Sequence, residues 1–278
     1  MRVAVVSGKG GAGKTSVAVS LVLARGEGLI VDCDVEEPNV SVLLNPRIEG
    51  KDTVYRPNPA VNEERCNFCG TCADACQFGA LLVLPRTVLV FEKMCHSCGT
   101  CVYVCPNDAM CEVERSIGEI EWGRVGSIEY MGGRLKVGEA MPTFLVARLK
   151  DRIPERDFIV LDAPPGVTCP VVEALKGSDF VLVVAESSPF GVSDVQGVLE
   201  YVSSLNVPYG VLENKAGMCG ELIVERFCKA EGVPYMGSIP YSEEVCRAYA
   251  RGVPMVSACE ELRPLFEELI SRMEDAVS

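Results

Sequence analysis

The run Val5-Val6-Ser7-Gly8-Lys9-Gly10-Gly11-Ala12-Gly13-Lys14-Thr15 restricts the fold of this chain more than any other stretch, because it fits the pattern G-x-x-x-x-G-K-[ST]. Arg2 to Val6 is a short β-branched run that predicts a buried strand, and Thr15 to Ala24 is apolar and alanine-containing, which predicts a helix. Strand, glycine loop and helix in that order make a phosphate cradle. The glycines let the backbone turn tightly and aim N–H groups at phosphate oxygens, and the helix start adds partial positive charge. A nucleoside triphosphate site is therefore expected on Gly8, Lys9, Gly10, Gly11, Ala12, Gly13, Lys14, Thr15 and Ser16. Lys14 is placed to reach the β- and γ-phosphates and Thr15 to hold Mg2+.

Further short apolar runs, at Leu29 to Val31, Phe158 to Leu161, Phe180 to Val184 and Tyr209 to Leu212, alternate with helical stretches. They predict an α/β fold, a mostly parallel sheet flanked by helices. The formal net charge of -13 and pI near 4.7 argue against a nucleic-acid partner, which needs a clustered basic surface. No segment reaches ~18 uninterrupted apolar residues, and Glu260 to Ser278 is acidic rather than a basic membrane-targeting helix. A cytoplasmic protein with no membrane partner is expected.

Fifteen cysteines are too many for packing alone and, without an export signal, point to metal rather than disulfides. Pro46, Gly50, Pro57 and Pro59 spread through a polar stretch that predicts a linker from Asn45. An inserted module is expected over residues 59–116, leaving 1–58 and 117–278 to the phosphate-loop domain. Within it, Cys66-x2-Cys69-x2-Cys72-x3-Cys76 is repeated 29 residues later as Cys95-x2-Cys98-x2-Cys101-x3-Cys105-Pro106, with Cys-Gly-Thr-Cys in both copies. This resembles a bacterial two-cluster ferredoxin, a small α+β module in which the fourth cysteine of each run ligates the other cluster. The resemblance implies two [4Fe-4S] clusters, one on Cys66, Cys69, Cys72 and Cys105, the other on Cys95, Cys98, Cys101 and Cys76. Zinc is the competing reading, although zinc sites usually pair two cysteines with a distant second pair. His96, the only histidine, lies between two of these cysteines, where it either bonds near a sulfur or is solvated.

Lys9 is a second cation that the phosphate-loop pattern does not require, and Lys9-Gly10-Gly11-Ala12-Gly13-Lys14-Thr15 resembles the deviant Walker A loop of the MinD, ParA, Mrp and nitrogenase iron protein group. The resemblance implies a nucleotide-dependent homodimer with Lys9 crossing to the partner's phosphates; a solvated surface lysine is the alternative. It also implies that Asp32-Cys33-Asp34 opens a switch loop, with Asp34 orienting the attacking water and Asp32 serving Mg2+ or Lys14. Asp162-Ala163-Pro164-Pro165-Gly166 matches the second switch, placing Asp162 near Mg2+ and giving the Gly166 N–H to the γ-phosphate. Cys169 resembles the iron protein's cluster ligand, but no second cysteine accompanies it. Asn214-Lys215-Ala216-Gly217 has glycine where guanine selection requires aspartate, so ATP is expected, with Asn214 on the adenine amine and Pro240 in a second base-flanking loop.

Lys9, Lys14 and Asp34 are thus the expected catalytic residues of an ATPase. Its leading expected function is ATP-gated delivery of low-potential electrons to a redox partner. The alternatives are an iron–sulfur assembly or carrier ATPase with a cluster acceptor, and a redox-sensing regulatory ATPase. The scattered Cys219, Cys228, Cys246 and Cys259 do not form the C-terminal C-x-x-C of Mrp-type carriers, which counts against the carrier.

Overall fold

A computed structural model of the chain describes residues 1–218 and 222–278. Two compact units emerge, one comprising Met1–Asp52, Ile120–Arg134 and Val146–Ser278, the other Thr53–Glu119 and Leu135–Leu145. The strands in chain order are β1 (Arg2–Ser7), β2 (Gly28–Asp32), β3 (Arg47–Val61), β4 (Leu81–Leu84), β5 (Thr87–Val90), β6 (Met110–Val125), β7 (Ile128–Leu135), β8 (Ile159–Asp162), β9 (Phe180–Glu186), β10 (Tyr209–Ala216) and β11 (Tyr235–Pro240). Nine of them form a sheet in the order β11-β10-β9-β1-β8-β2-β7-β6-β3.

β1 is parallel to β8 and β9, β2 to β7 and β8, and β10 to β9 and β11. Their apolar runs are buried along almost their whole length, as a parallel sheet covered on both faces requires. The register aligns Val5 with Asp162, Asp32 with Asp162, and Asn214 with Glu186. Polar groups at consecutive strand ends are thereby gathered at one edge, where sheets of this kind bind ligands. The helix Lys14–Arg25 packs against the helix Arg263–Val277, whose Phe266, Leu269, Ile270 and Met273 join the main core.

The stretch expected as a linker is instead β3, a strand of 15 residues. Its prolines misled because they cannot donate to a ladder, yet β3 is the last strand of the sheet order and an edge strand tolerates them. Strands β6 and β7 are neighbours in the sheet and are joined through Gly126 and Ser127. A helix runs from Ile223 to Glu231, and Cys219 lies outside the described residues.

The second unit starts earlier than the expected insertion and also includes Leu135–Leu145. It contains the antiparallel pair β4–β5, two short helices at Thr71–Asp74 and Thr100–Tyr103, and a core of Cys72, Leu81, Val88 and Met110. Both short helices follow a glycine with positive φ, Gly70 at 86° and Gly99 at 72°, so the repeat seen in the sequence is also a repeat of backbone.

Phe266 is completely buried in the main core. Phe266→Ala should lower the unfolding free energy by about 3–5 kcal/mol, measured by denaturant titration of the nucleotide-free protein.

Candidate nucleotide and cysteine sites

A cavity of about 350 Å3 opens in the first unit. Lys9, Gly10, Gly11, Gly13, Lys14, Thr15, Ser16, Asp34, Asn214 and Pro240 line it, together with Lys215 and Tyr241. Gly8, Ala12, Asp32 and Asp162 are not on its wall. Asp162, Asp32 and Ala12 act on residues that are.

Asp162, fully buried at the end of β8, accepts from Lys14 Nζ at 2.7 Å and from Thr15 Oγ1 at 2.7 Å. Asp34 stands 3.8 Å from Lys14 Nζ. Burial works against the Lys14 charge, but the carboxylates of Asp162, Asp34 and Asp32 outweigh it and raise its pKa. Burial pushes the Asp34 carboxyl up to about 6, with Lys14 pulling against it and Asp162 adding to it. Asp32 is raised well above the ordinary carboxylate range by burial and by Asp162. Its two oxygens accept the backbone N–H groups of Asp34 at 3.1 Å and Val40 at 2.9 Å, so it clamps the loop after β2.

The phosphate loop is fixed from its other side. Asn214 Nδ2 donates to Ala12 O at 2.8 Å, and Lys215 Nζ donates to Gly11 O at 2.9 Å. Gly13 has φ of 94°, and a Cβ there would lie 2.1 Å from Asn214 Nδ2; a Cβ on Gly8 would lie 2.1 Å from the Asp194 carbonyl oxygen. Gly13 is therefore required by its positive φ as well as by close approach, and Gly8 by close approach alone. The amide expected to read adenine is thus engaged with the loop, and the Gly166 N–H expected for the γ-phosphate donates to Ser7 O at 2.8 Å.

Lys9 forms ion pairs within its own chain, 3.1 Å to Glu186 and 3.2 Å to Asp194. These acids, Glu186 first, raise its pKa. Glu186 also accepts from Lys215 at 2.8 Å, and Lys215 and Lys9 lower its own pKa. Sequence reasoning missed Glu186 and Asp194. A carboxylate at the end of β9, one strand from the glycine loop, was the available signal for Glu186; Asp194 lies inside a helix and had none.

In the second unit the eight cysteines of the two runs separate into two sets. One cavity is lined by Cys66, Cys69, Cys72 and Cys105, another by Cys76, Cys95, Cys98 and Cys101. Each set takes three sulfurs from one run and the fourth from the other. Backbone N–H groups donate to sulfur at matching positions in both: Phe68 to Cys66 at 3.4 Å and Ser97 to Cys95 at 3.3 Å, Ala80 to Cys76 at 3.4 Å and Ala109 to Cys105 at 3.2 Å. Cys69 and Cys98 are exposed and paired with the Thr71 and Thr100 hydroxyls at 3.3 Å, which lower both thiol pKa values. Burial pushes Cys101 up to about 11 and raises Cys72. Among the described residues no three histidine, cysteine or acidic side chains converge closely enough for a single metal ion. Cys111 is exposed and lines neither cavity, and Cys169 is exposed at the start of the helix Cys169–Leu175. No helix among the described residues is long and apolar enough to cross a membrane.

Residues 3–255 match the family described as CbiA, the CobQ/CobB/MinD/ParA nucleotide binding domain. An uncharacterized protein of Methanocaldococcus jannaschii is 32% identical, with 100% of this chain and 98% of that protein covered. An iron-sulfur cluster carrier protein of the same organism is 21% identical, over 98% of this chain and 85% of its own. The fold is similar to that of the septum site-determining protein MinD of Pyrococcus horikoshii complexed with Mg-ADP, with a TM-score of 0.63 at 17% identity, covering 99% of this chain and 96% of that one. With its phosphate loop, its parallel sheet and this match over most of its length, the chain belongs to the CobQ/CobB/MinD/ParA nucleotide-binding family of P-loop ATPases.

Proposed function

We propose that the chain is a Mg-ATP-hydrolysing iron–sulfur protein of the cluster-carrying kind, acting as a nucleotide-dependent homodimer. Its second unit is read as a ferredoxin-like module holding two [4Fe-4S] clusters. The observation that carries this reading is the sorting of eight cysteines into two complete, crossed sets of four, each around its own cavity. The relatives add weight, since an iron-sulfur cluster carrier aligns over nearly the whole chain. That likeness moves the carrier ahead of ATP-gated electron transfer, the function expected first from the motifs.

The donor sets fit these groups. Thiolates suit soft iron sites, and N–H bonds to sulfur offset the charge that four thiolates bring together. Asp34 on the cavity wall and Asp162 behind it both lie close to the Lys14 ammonium, an acidic pair suited to a divalent cation near Thr15 and Asp162. Mg2+ would supply charge neutralisation at the phosphates. Lys14 and the loop N–H groups bind the β- and γ-phosphates, Asp34 orients water, and Lys9 leaves Glu186 and Asp194 to meet the partner subunit's nucleotide.

Electron delivery remains the second reading, favoured by the completeness of both quartets within one chain, which suits resident rather than passing clusters. One experiment separates the two. Anaerobically loaded protein is mixed with an apo-enzyme that needs a [4Fe-4S] cluster, with and without Mg-ATP. Mg-ATP-dependent activation of the acceptor supports the carrier. Clusters that stay in place while Mg-ATP shifts their midpoint potentials support electron delivery instead.

Lys14→Ala should abolish ATP binding in calorimetry. Asp34→Asn should keep binding and lose on the order of 100-fold or more in turnover. Lys9→Ala should stay monomeric with ATP in light scattering; normal dimerisation of that variant would refute the role across the interface. Cys76→Ala and Cys105→Ala should each lose about half of the bound iron, and each should remove a different cluster signal. Full iron content in either would contradict the crossed sets.

A further inference from the structure

The two cysteine quartets stand in unequal surroundings. Arg56, on β3, has a completely buried side chain. Its guanidinium donates to the carbonyl oxygens of Cys95 and Glu92, both at 2.7 Å, and its Nε has no hydrogen-bond partner. The nearest carboxylate, Glu139, lies 3.7 Å away and makes its shorter contact with Arg115. One buried carboxylate therefore answers two guanidinium groups. Arg115 also pairs with Glu92, whose side chain is 56% exposed.

The charge that remains on Arg56 lies beside a residue of the second quartet. That quartet's cavity also carries Glu112, which is exposed and screened by water, and His96, stacked on Phe78 with ring centroids 3.7 Å apart. The first quartet's cavity has Asn67 at the place of His96 and no charged side chain on its wall. A charge held in the interior acts several times more strongly than one in water. Arg56 therefore acts on its surroundings with less screening by water than Glu112 does.

We propose that Arg56 holds a cluster on Cys76, Cys95, Cys98 and Cys101 at a higher reduction potential than one on Cys66, Cys69, Cys72 and Cys105. The inference rests on reading the quartets as cluster sites. Reduction adds negative charge, and a buried cation next to a ligand favours the reduced form, whereas N–H bonds to sulfur are matched between the two sets and cannot distinguish them. In either proposed function the electron then rests on the second quartet.

The test is an anaerobic redox titration followed by electron paramagnetic resonance on the full chain with both clusters loaded. The wild type should titrate in two steps, the more positive one disappearing in Cys76→Ala. Arg56→Gln should move that step down by about 59 mV or more, tenfold in the equilibrium for a one-electron couple, and leave the other in place. Arg56→Lys, which keeps the charge, should restore most of the difference. Glu139→Gln should move the same step up, because it removes the carboxylate that partly neutralises Arg56. If Arg56→Gln does not retain its clusters, the sign of the Glu139→Gln shift decides. Coincident wild-type steps, or shifts shared equally by both clusters, would overturn the role of Arg56 while leaving the cluster sites intact. Wild-type protein that binds iron for fewer than two clusters would overturn the cluster reading itself, and this inference with it.

Discussion

Three carboxylates, Asp32, Asp34 and Asp162, are held within electrostatic reach of one buried ammonium, Lys14, and the first unit's site is built around that imbalance. A buried charge without its partner costs about 3–5 kcal/mol, so the glycine loop and the end of β8 are locked to each other. Asp32 extends the lock to the loop after β2 through the N–H groups of Asp34 and Val40. The sheet order makes this possible by placing β1 beside β8, and β8 beside β2. The single ammonium does not balance the group. Burial above all, with the neighbouring Asp162 carboxylate adding to it, raises Asp32 and Asp34, and a divalent cation near them would favour their charged forms.

The same loop is held on its opposite side by neutralised contacts. Glu186 sits between Lys9 and Lys215, while Lys215 and Asn214 take the carbonyls of Gly11 and Ala12. In a trans peptide the carbonyl and the following N–H point in opposite directions. Engaging those two oxygens therefore turns the N–H groups of Ala12 and Gly13 away from Asn214 and Lys215. A residue read from sequence as a base contact thus acts in this structure as a support for the phosphate cradle.

What the sequence made legible was local. The glycine loop, the apolar strands and the duplicated cysteine runs each carry their meaning within a short window, and four cysteines line each of two cavities in the second unit. The missed features depend on distant partners. Prolines at 57 and 59 suggested a linker because sequence does not reveal that β3 is an edge strand, where a missing N–H is tolerated. Arg56, just before those prolines, could not be recognised as a buried cation until Cys95 and Glu139 were placed around it. Lys9 was legible as an unusual cation, but its partners Glu186 and Asp194 come from more than 170 residues away.

Both proposed functions need a route out of the quartets, and the cysteines provide the same one in each copy. Cys69 and Cys98 are the exposed members of their sets, while Cys72 and Cys95 are buried and the others are intermediate. Each exposed sulfur meets a threonine hydroxyl that favours its thiolate form. Ligand exchange with an acceptor begins at whichever thiolate water and an incoming thiol can reach. If the quartets hold clusters, as proposed, the exposed cysteine of each set would be the common exit for a cluster or an electron, and the choice between them would fall to the other three cysteines. Those are held by burial and by N–H bonds to sulfur, and whether the nucleotide state loosens that hold is what separates cargo from resident cofactor.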